Sequence, residues 1–411
     1  MEHTSTLVVV GGGAAGFFCA VNAARLNPAL KVIIIEKSGK TLSKVKVSGG
    51  GRCNLTYACF EISEMSSKYP RGSSFVKKTF HHFFTTDTIS WFEERGVKLK
   101  KEPDGRMFPQ SNSSQTIIDC LNREAQKYQV EILMYCELKS LEGSSGQWKI
   151  MIGGDRIIEA NFICLACGGY PKAAMFDWLK NLGHTILAPV PSLFTFNLPA
   201  NPITTLPGVS VPEAQIKIAG SKLLERGPLL ITHWGFSGPA ILRLSAWGAR
   251  ELALKNYDFV IAVNWIPEYT EGSLRESMQI IRSGGGSKPI FAKNIFGLPQ
   301  RLWEHLCSHA DVGASMRWGE LPGKTQNKLI QQLRDFECRV NGKTTFKEEF
   351  VTAGGIALSE IDFNTMESKI LPGIFFAGEL MDVDGITGGF NFQHAWTSGF
   401  IAAKSISERS R

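Results

Sequence analysis

Residues 6–20 read TLVVVGGGAAGFFCA. The β-branched apolar run ahead of the glycines has the length and character of a buried parallel strand. It passes directly into Gly11-Gly12-Gly13-Ala14-Ala15-Gly16, which fits G-x-G-x-x-G, and then into FFCAVNAARLN, a helical stretch ended by Pro28. A second strand, KVIIIEK at 31–37, closes a βαβ unit and carries Glu36 at its end.

Each part of that unit has a mechanical reason. Gly11 permits the tight turn, Gly13 lets a pyrophosphate approach the backbone, and Gly16 lets the helix pack closely on the strand. The helix N-terminus offers unpaired N–H groups to phosphate, and Glu36 accepts bonds from ribose hydroxyls. The pattern predicts a dinucleotide site. A strand–helix turn without a ligand is the competing reading, and it gives Glu36 no task. An acid at this position argues against a 2′-phosphate on this nucleotide. Three GKT triplets, at 39–41, 323–325 and 342–344, are not phosphate-binding P-loops. The glycine needed five positions upstream is Ile34, Trp318 or Glu337.

Size and composition bound the rest. The chain has 411 residues, enough for two or three units. Its 43% hydrophobic and 20% charged residues are those of a soluble globular protein. The net charge of +7 is spread along the chain without a Lys/Arg run, so nucleic acid is not expected as a partner. A basic balance still suits an anionic ligand. The N-terminal LVVV is too short for a signal peptide, no apolar run has spanning length, and nine irregularly spaced cysteines make no disulfide framework. A cytoplasmic protein without a membrane partner is expected, its oligomeric state open.

A second glycine run lies in SKVKVSGGGRCN at 43–54. Backbone without side chains can lie against a flat ring or a phosphate, with Ser48, Arg52 and Asn54 adding polar contacts. A flexible surface loop explains this stretch equally well.

Taken together, VVVGGGAAG, SGGGRCNLT, GRMFPQS (105–111), LACGG (165–169), THWGFSGPAIL (232–242), VTAGGIAL (351–358) and GIFFAGELMDVDGITGGFNFQHAWTSG (373–399) resemble the BaiN-like, or aminoacetone oxidase-like, FAD-binding oxidoreductases. These are two-dinucleotide-fold flavoproteins of the glutathione reductase type. The resemblance implies an α/β fold, a Rossmann-like FAD-binding domain split by an inserted β-rich and helical domain. It implies FAD as cofactor and permits NADH or NADPH as a transient electron donor.

The resemblance also implies residue roles. Ser48, Gly49, Gly50, Gly51, Arg52, Cys53 and Asn54 wrap the flavin end, with Lys44 just ahead of them. Ala14, Ala15 and Lys37 join the dinucleotide turn, and the Leu138 backbone meets adenine. Ala166 and Gly168 line the site, and Gly378, Glu379 and Asp382 reach the ribityl or pyrophosphate region. Gly389, Phe390, Asn391, Phe392 and Gln393 bring backbone N–H groups to the flavin pyrimidine. Ser43 and Tyr57 depart from the arginine and asparagine common in the family. Read from residues alone, DGITGGFNFQHAWTSGFIAA is a glycine turn entering a helix, whose N-terminus favours an electron-rich group.

The middle of the chain differs in texture. Short alternating runs with prolines over 192–235 suggest antiparallel strands, and stretches after 288 read as helices. The expected organisation is a discontinuous FAD-binding domain, 1–190 and 350–411, around an inserted substrate or cap domain, 191–349. Within the insert, 191–287 reads as β-barrel-like and 288–349 as helical.

Side chains for catalysis are few. Cys164 and Cys167 form C-x-x-C, but in a strand residues three apart face opposite ways, so packing is expected over a redox pair. His305 and His309 lack the Glu of H-E-x-x-H, and no metal is expected. His233 in THWGFSGP and His394 in NFQHAW are the candidates for proton transfer, each weighed against a structural histidine. With no carboxylate pair or nucleophile–base motif, the chemistry falls to the flavin. The expectation is hydride transfer between flavin and a small organic substrate, leaning to NAD(P)H-driven reduction of an activated double bond. Alternatives are amine oxidation by oxygen, a flavin-dependent RNA-associated protein and a non-catalytic flavin redox sensor.

Overall fold

A computed structural model describes residues 5–144, 146–154, 156–292, 294–345 and 351–411. The chain forms two compact units, one of Met1–Ser192 with Phe346–Arg411 and the other of Leu193–Thr345.

The first unit is built on a five-stranded parallel sheet in the order Ile374–Phe376, Phe162–Leu165, Ser5–Val10, Leu30–Ile35, Glu131–Leu133. Leu7, Val8 and Val9 on the central strand are fully buried, which is why an unbroken β-branched run is needed there. The helix Ala14–Leu26 follows the first strand, and the long C-terminal helix Phe390–Arg409 packs on it. Gly399 makes that contact close, since a Cβ there would lie 2.7 Å from the Ala15 carbonyl oxygen. Phe18 and Trp396 fill the same seam with ring centroids 5.2 Å apart. An antiparallel ribbon of Ile186–Ser192 and Val351–Ile356 completes the path where the chain leaves and re-enters this unit.

The second unit is an antiparallel sheet, seven-stranded among the described residues, that closes on itself: Phe336–Asn341 pairs with Asp258–Asn264, and its continuation Lys343–Thr344, one residue on, pairs with Thr195–Asn197. Ile216, Ile231, Ile261 and Val340 alternate onto one face and share a core with Trp265, Trp303 and Trp318. The strands are barrel-like as expected, but they do not stop at 287 and the helices do not wait for 288. Helices Pro239–Trp247 and Glu271–Gly285 fall before that point. Strand Phe336–Asn341 falls beyond it and pairs with Asp258–Asn264.

Candidate functional site

The dinucleotide turn sits at the C-terminal end of the central strand. Gly11 has φ +112°, and a Cβ there would lie 2.4 Å from the carbonyl oxygen of Ala166. The Ala166 N–H donates to the Val10 carbonyl at 2.9 Å, which fixes this segment beside the turn. Gly16 is closed more tightly still, a Cβ falling 2.0 Å from the Gly11 oxygen. Gly13 is the opposite case, with nothing within 4 Å of its would-be Cβ. It is the N-cap of Ala14–Leu26 and supplies no side-chain cap, leaving the helix N–H groups open to an anion. Glu36 holds the turn from the side, its Oε2 accepting the Gly12 N–H at 2.9 Å and its Oε1 the Ser38 N–H at 2.9 Å. Lys37 is exposed, and Leu138, half-buried, opens the strand Leu138–Ser144.

The second glycine run is neither a free loop nor a plain turn. A helical stretch, Ser43–Gly51, breaks at Ser48, which is extended, and Gly49, Gly50 and Gly51 follow with φ of 58°, 68° and 81°. Three successive left-handed residues are accessible in practice only to glycine. Nothing lies within 4 Å of a Cβ at Gly50, Gly51 or, across from LACGG, Gly168. The Cys53 N–H closes the loop onto the Ser48 carbonyl at 3.0 Å. The Cys53 thiol is buried and pushed up to about 12 by desolvation, so it is a packing group. Arg52 Nε donates to the Gly49 carbonyl at 3.4 Å. Its guanidinium lies 4.1 Å from the Phe108 ring centroid and 3.3 Å from Glu102. Asn54 keeps the expected role open: its Oδ1 is buried and has no hydrogen-bond partner.

The C-terminal block supplies the facing wall. Gly378 has φ +74° and donates its N–H to Ser398 Oγ at 2.9 Å. Glu379 accepts the Thr352 N–H at 2.8 Å and pairs with Lys44 at 2.6 Å. The Asp382 N–H donates to the Ile356 carbonyl at 3.1 Å. Gly389, φ +97°, is the N-cap of the last helix without a side-chain cap, and a Cβ there would meet Thr56 O at 2.7 Å and Asn54 Oδ1 at 2.9 Å. The side chains that follow are used internally. Phe390 stacks on Tyr57 at 4.9 Å, Asn391 bonds both backbone groups of Gly385, and Phe392 stacks on Trp396. Gln393 Oε1 accepts from Thr56 Oγ1 at 2.6 Å and Thr88 Oγ1 at 3.0 Å. What remains for a ligand is the backbone N–H groups of the first turn.

The two histidines part company. His394 is 2% exposed, its Nε2 lies 3.3 Å from the Gly378 carbonyl, and burial pushes it down to about 4. It is enclosed and neutral, with its Nδ1 buried and without a hydrogen-bond partner. His233 belongs to the second unit and is exposed, its ring edge-on to Trp234 at 4.4 Å. Cys164 and Cys167 are both free, with thiols raised by burial and, for Cys164, by the Cys19 thiol first.

Two features escaped the sequence reading. Thr352 Oγ1 is buried and unpartnered, and a Cβ on Gly169 would fall 2.5 Å from it. Arg71 and Asp384 form a buried ion pair joined by Ser192 Oγ, which donates to Asp384 at 2.8 Å. A lone Arg after proline carries no local signal of that partnership.

The residues fit FAD on this chain's own terms: two uncapped helix N-termini, a strand-end carboxylate, open space at Gly13, Gly50 and Gly51, and an orphaned Asn54 oxygen. When bound, FAD supplies the hydride chemistry that these side chains do not. Among the described residues no three His, Cys, Asp or Glu gather to hold a metal, and no helix is long and apolar enough to cross a membrane.

Known proteins agree with this reading. The chain is 26% identical to the 3-dehydro-bile acid delta(4,6)-reductase of Clostridium scindens, over 98% of each chain. It is 28% identical to the ribosomal RNA dihydrouridine synthase of Escherichia coli, over 97% of each. In fold it resembles a flavocytochrome c3 fumarate reductase, with TM-score 0.52 and 16% identity, covering 99% of this chain and 78% of that one. The 3-ketosteroid-delta4-(5alpha)-dehydrogenase of Rhodococcus jostii gives TM-score 0.51 at 12% identity, over 98% of both. The HI0933-like protein Rossmann domain matches residues 5–405. The chain therefore belongs to the HI0933-like family and is an FAD-dependent oxidoreductase.

Proposed function

We propose that this enzyme takes reducing equivalents from NADH or NADPH and adds them across a carbon–carbon double bond conjugated with a carbonyl. The observation that carries the direction is the pair of activities named for two full-length relatives, and the cysteines are compatible with it. All nine are free, and Cys164 and Cys167, beside the dinucleotide turn, have raised thiols. These thiols form no dithiol relay among the described residues, and in this reading the electrons come from a diffusible donor. The chain has no second complete G-x-G-x-x-G, so that donor visits the substrate cleft transiently. A delta(4,6)-reductase and a dihydrouridine synthase, the activities named for two full-length relatives, both add two hydrogens across a carbon–carbon double bond.

The balance is one hydride to the carbon β to the carbonyl and one proton to the α carbon, with the donor leaving as NAD(P)+. Among the chain's residues we assign proton delivery to His233, exposed beside Trp234. Anaerobic addition of NADH or NADPH to the FAD-loaded protein is expected to bleach the flavin, and an α,β-unsaturated ketone to restore its colour. Bleaching by amines but by neither nicotinamide overturns this reading in favour of an amine oxidase.

A second reading takes the same chemistry to RNA. The unit Leu193–Thr345 has 17 Lys and Arg against 12 Asp and Glu, five of the seven net positive charges. Salt-dependent binding of a ribosomal RNA fragment supports it, and its absence leaves small unsaturated ketones as the substrate class.

A further inference from the structure

Tyr135 is 78% exposed, yet its position is fixed. Its backbone is left-handed at φ 57°, uncommon for a bulky residue, and its N–H donates to the Ser38 carbonyl at 3.3 Å. The next N–H, of Cys136, donates to the Glu36 carbonyl at 2.8 Å. Segment 135–136 is thereby tied to the turn that follows Glu36. Gly39 in that turn leaves room for the ring: a Cβ there would lie 2.2 Å from the Tyr135 hydroxyl oxygen and 2.6 Å from Cζ. The Gly39 backbone is not left-handed, so glycine is required by the ring and not by the turn. An aromatic plane is thus laid over a side-chain-free position, open to solvent on its other side, next to the carboxylate assigned to the ribose.

We propose that the Tyr135 ring is the platform on which the adenine of FAD stacks. Glu36 would hold the adjoining ribose, Gly12–Gly13 the pyrophosphate, and Leu138, half-buried three residues on, the edge of the base. A planar base gains from such a face whatever its substituents, and the 2′-hydroxyl side remains with Glu36. This inference rests on the FAD reading of the site.

The test is FAD titration of the apoprotein, followed by flavin fluorescence, for the wild type, Tyr135→Ala and Tyr135→Phe. Tyr135→Ala is expected to raise the dissociation constant about tenfold or more and Tyr135→Phe by no more than about twofold, since the ring and not the hydroxyl makes the contact. Because the side chain is exposed, the apoprotein melting temperature should stay within about 2 °C of wild type in both variants. The flavin absorption band should keep its shape, because the altered contact lies at the adenine end. An unchanged dissociation constant in Tyr135→Ala overturns the proposal. So does a fall in apoprotein stability with FAD affinity retained, which would make the ring a cover for the Gly39 turn. Failure of the wild type itself to take up FAD overturns the cofactor reading as well, and that outcome is visible before any variant is compared.

Discussion

Lys44 and Glu379 lie 335 positions apart in sequence and 2.6 Å apart in space. The pair joins the helix before the second glycine run to the turn after strand Ile374–Phe376. Lys44 is 45% exposed, so solvent screens the pair and its removal should cost the apoprotein less than about 1 kcal/mol. Glu379→Gln is therefore expected to leave the apoprotein melt nearly unmoved while weakening FAD retention. Equal losses in both would make the pair a structural brace.

Two glycines in one motif should respond oppositely to alanine. Gly16→Ala drives a Cβ to 2.0 Å from a backbone oxygen and should cost several kcal/mol, about 3 or more, seen as loss of soluble protein or a steep fall in melting temperature. Gly13→Ala meets nothing within 4 Å and should fold with a stability change within about 0.5 kcal/mol. Its methyl would instead stand where the pyrophosphate approaches, so FAD uptake should fall. Normal FAD uptake by folded Gly13→Ala would contradict the assignment.

His394 should impose an acid limit on stability. Its folded value near 4 lies below its ordinary 6.5, so between those values the unfolded chain binds a proton that the folded chain refuses. Stability is unaffected above about pH 6.5 and falls as pH drops, by about 2 kcal/mol between pH 7 and pH 5. His305, half-buried and also pushed down to about 4, adds a smaller share because it is better solvated. Urea unfolding of wild type and His394→Gln at the two pH values checks this. The variant should show a visibly shallower loss, and equal slopes would remove His394 from the account.

Arg71 and Asp384 should behave non-additively. The Asp384 side chain is 0% exposed, and truncating Arg71 strands a carboxylate in the interior, at a cost of about 3–5 kcal/mol. Burial already raises Asp384, against the pull of Arg71. Arg71→Leu with Asp384→Leu removes both charges together and should cost much less than the sum of the single changes. Denaturant midpoints of the three variants measure the coupling. Additive losses would mean that the two side chains do not depend on each other.

What the sequence made legible was local. The turn at 11–16 and the acid at Glu36 lie within one βαβ unit, and motif, strand and helix signals there agree residue by residue. The second unit was harder for a topological reason. Its closing strand Phe336–Asn341 follows a helix and pairs back to Asp258–Asn264, so no local alternation announces the sheet that contains it. Among site residues, Glu36 and Gly13 carry their reason in their spacing. The partnership of Arg71 with Asp384, 313 positions away, has none to offer. The surroundings of His394 were not legible, because a histidine in a motif looks the same whether its ring faces a ligand or a carbonyl. Only packing tells them apart.

The ribbon of Ile186–Ser192 and Val351–Ile356 has a consequence for how this chain came to be assembled. Ser192 faces Val351 across an antiparallel pair, so the excursion of the second unit starts and finishes at neighbouring points of a backbone already joined there by hydrogen bonds. Topologically, everything between them is a long hairpin loop. The entropic cost of closing such a loop grows only with the logarithm of its length. The first unit can therefore exchange one excursion for another without breaking its own sheet, as a tool holder keeps its grip while the bit is replaced.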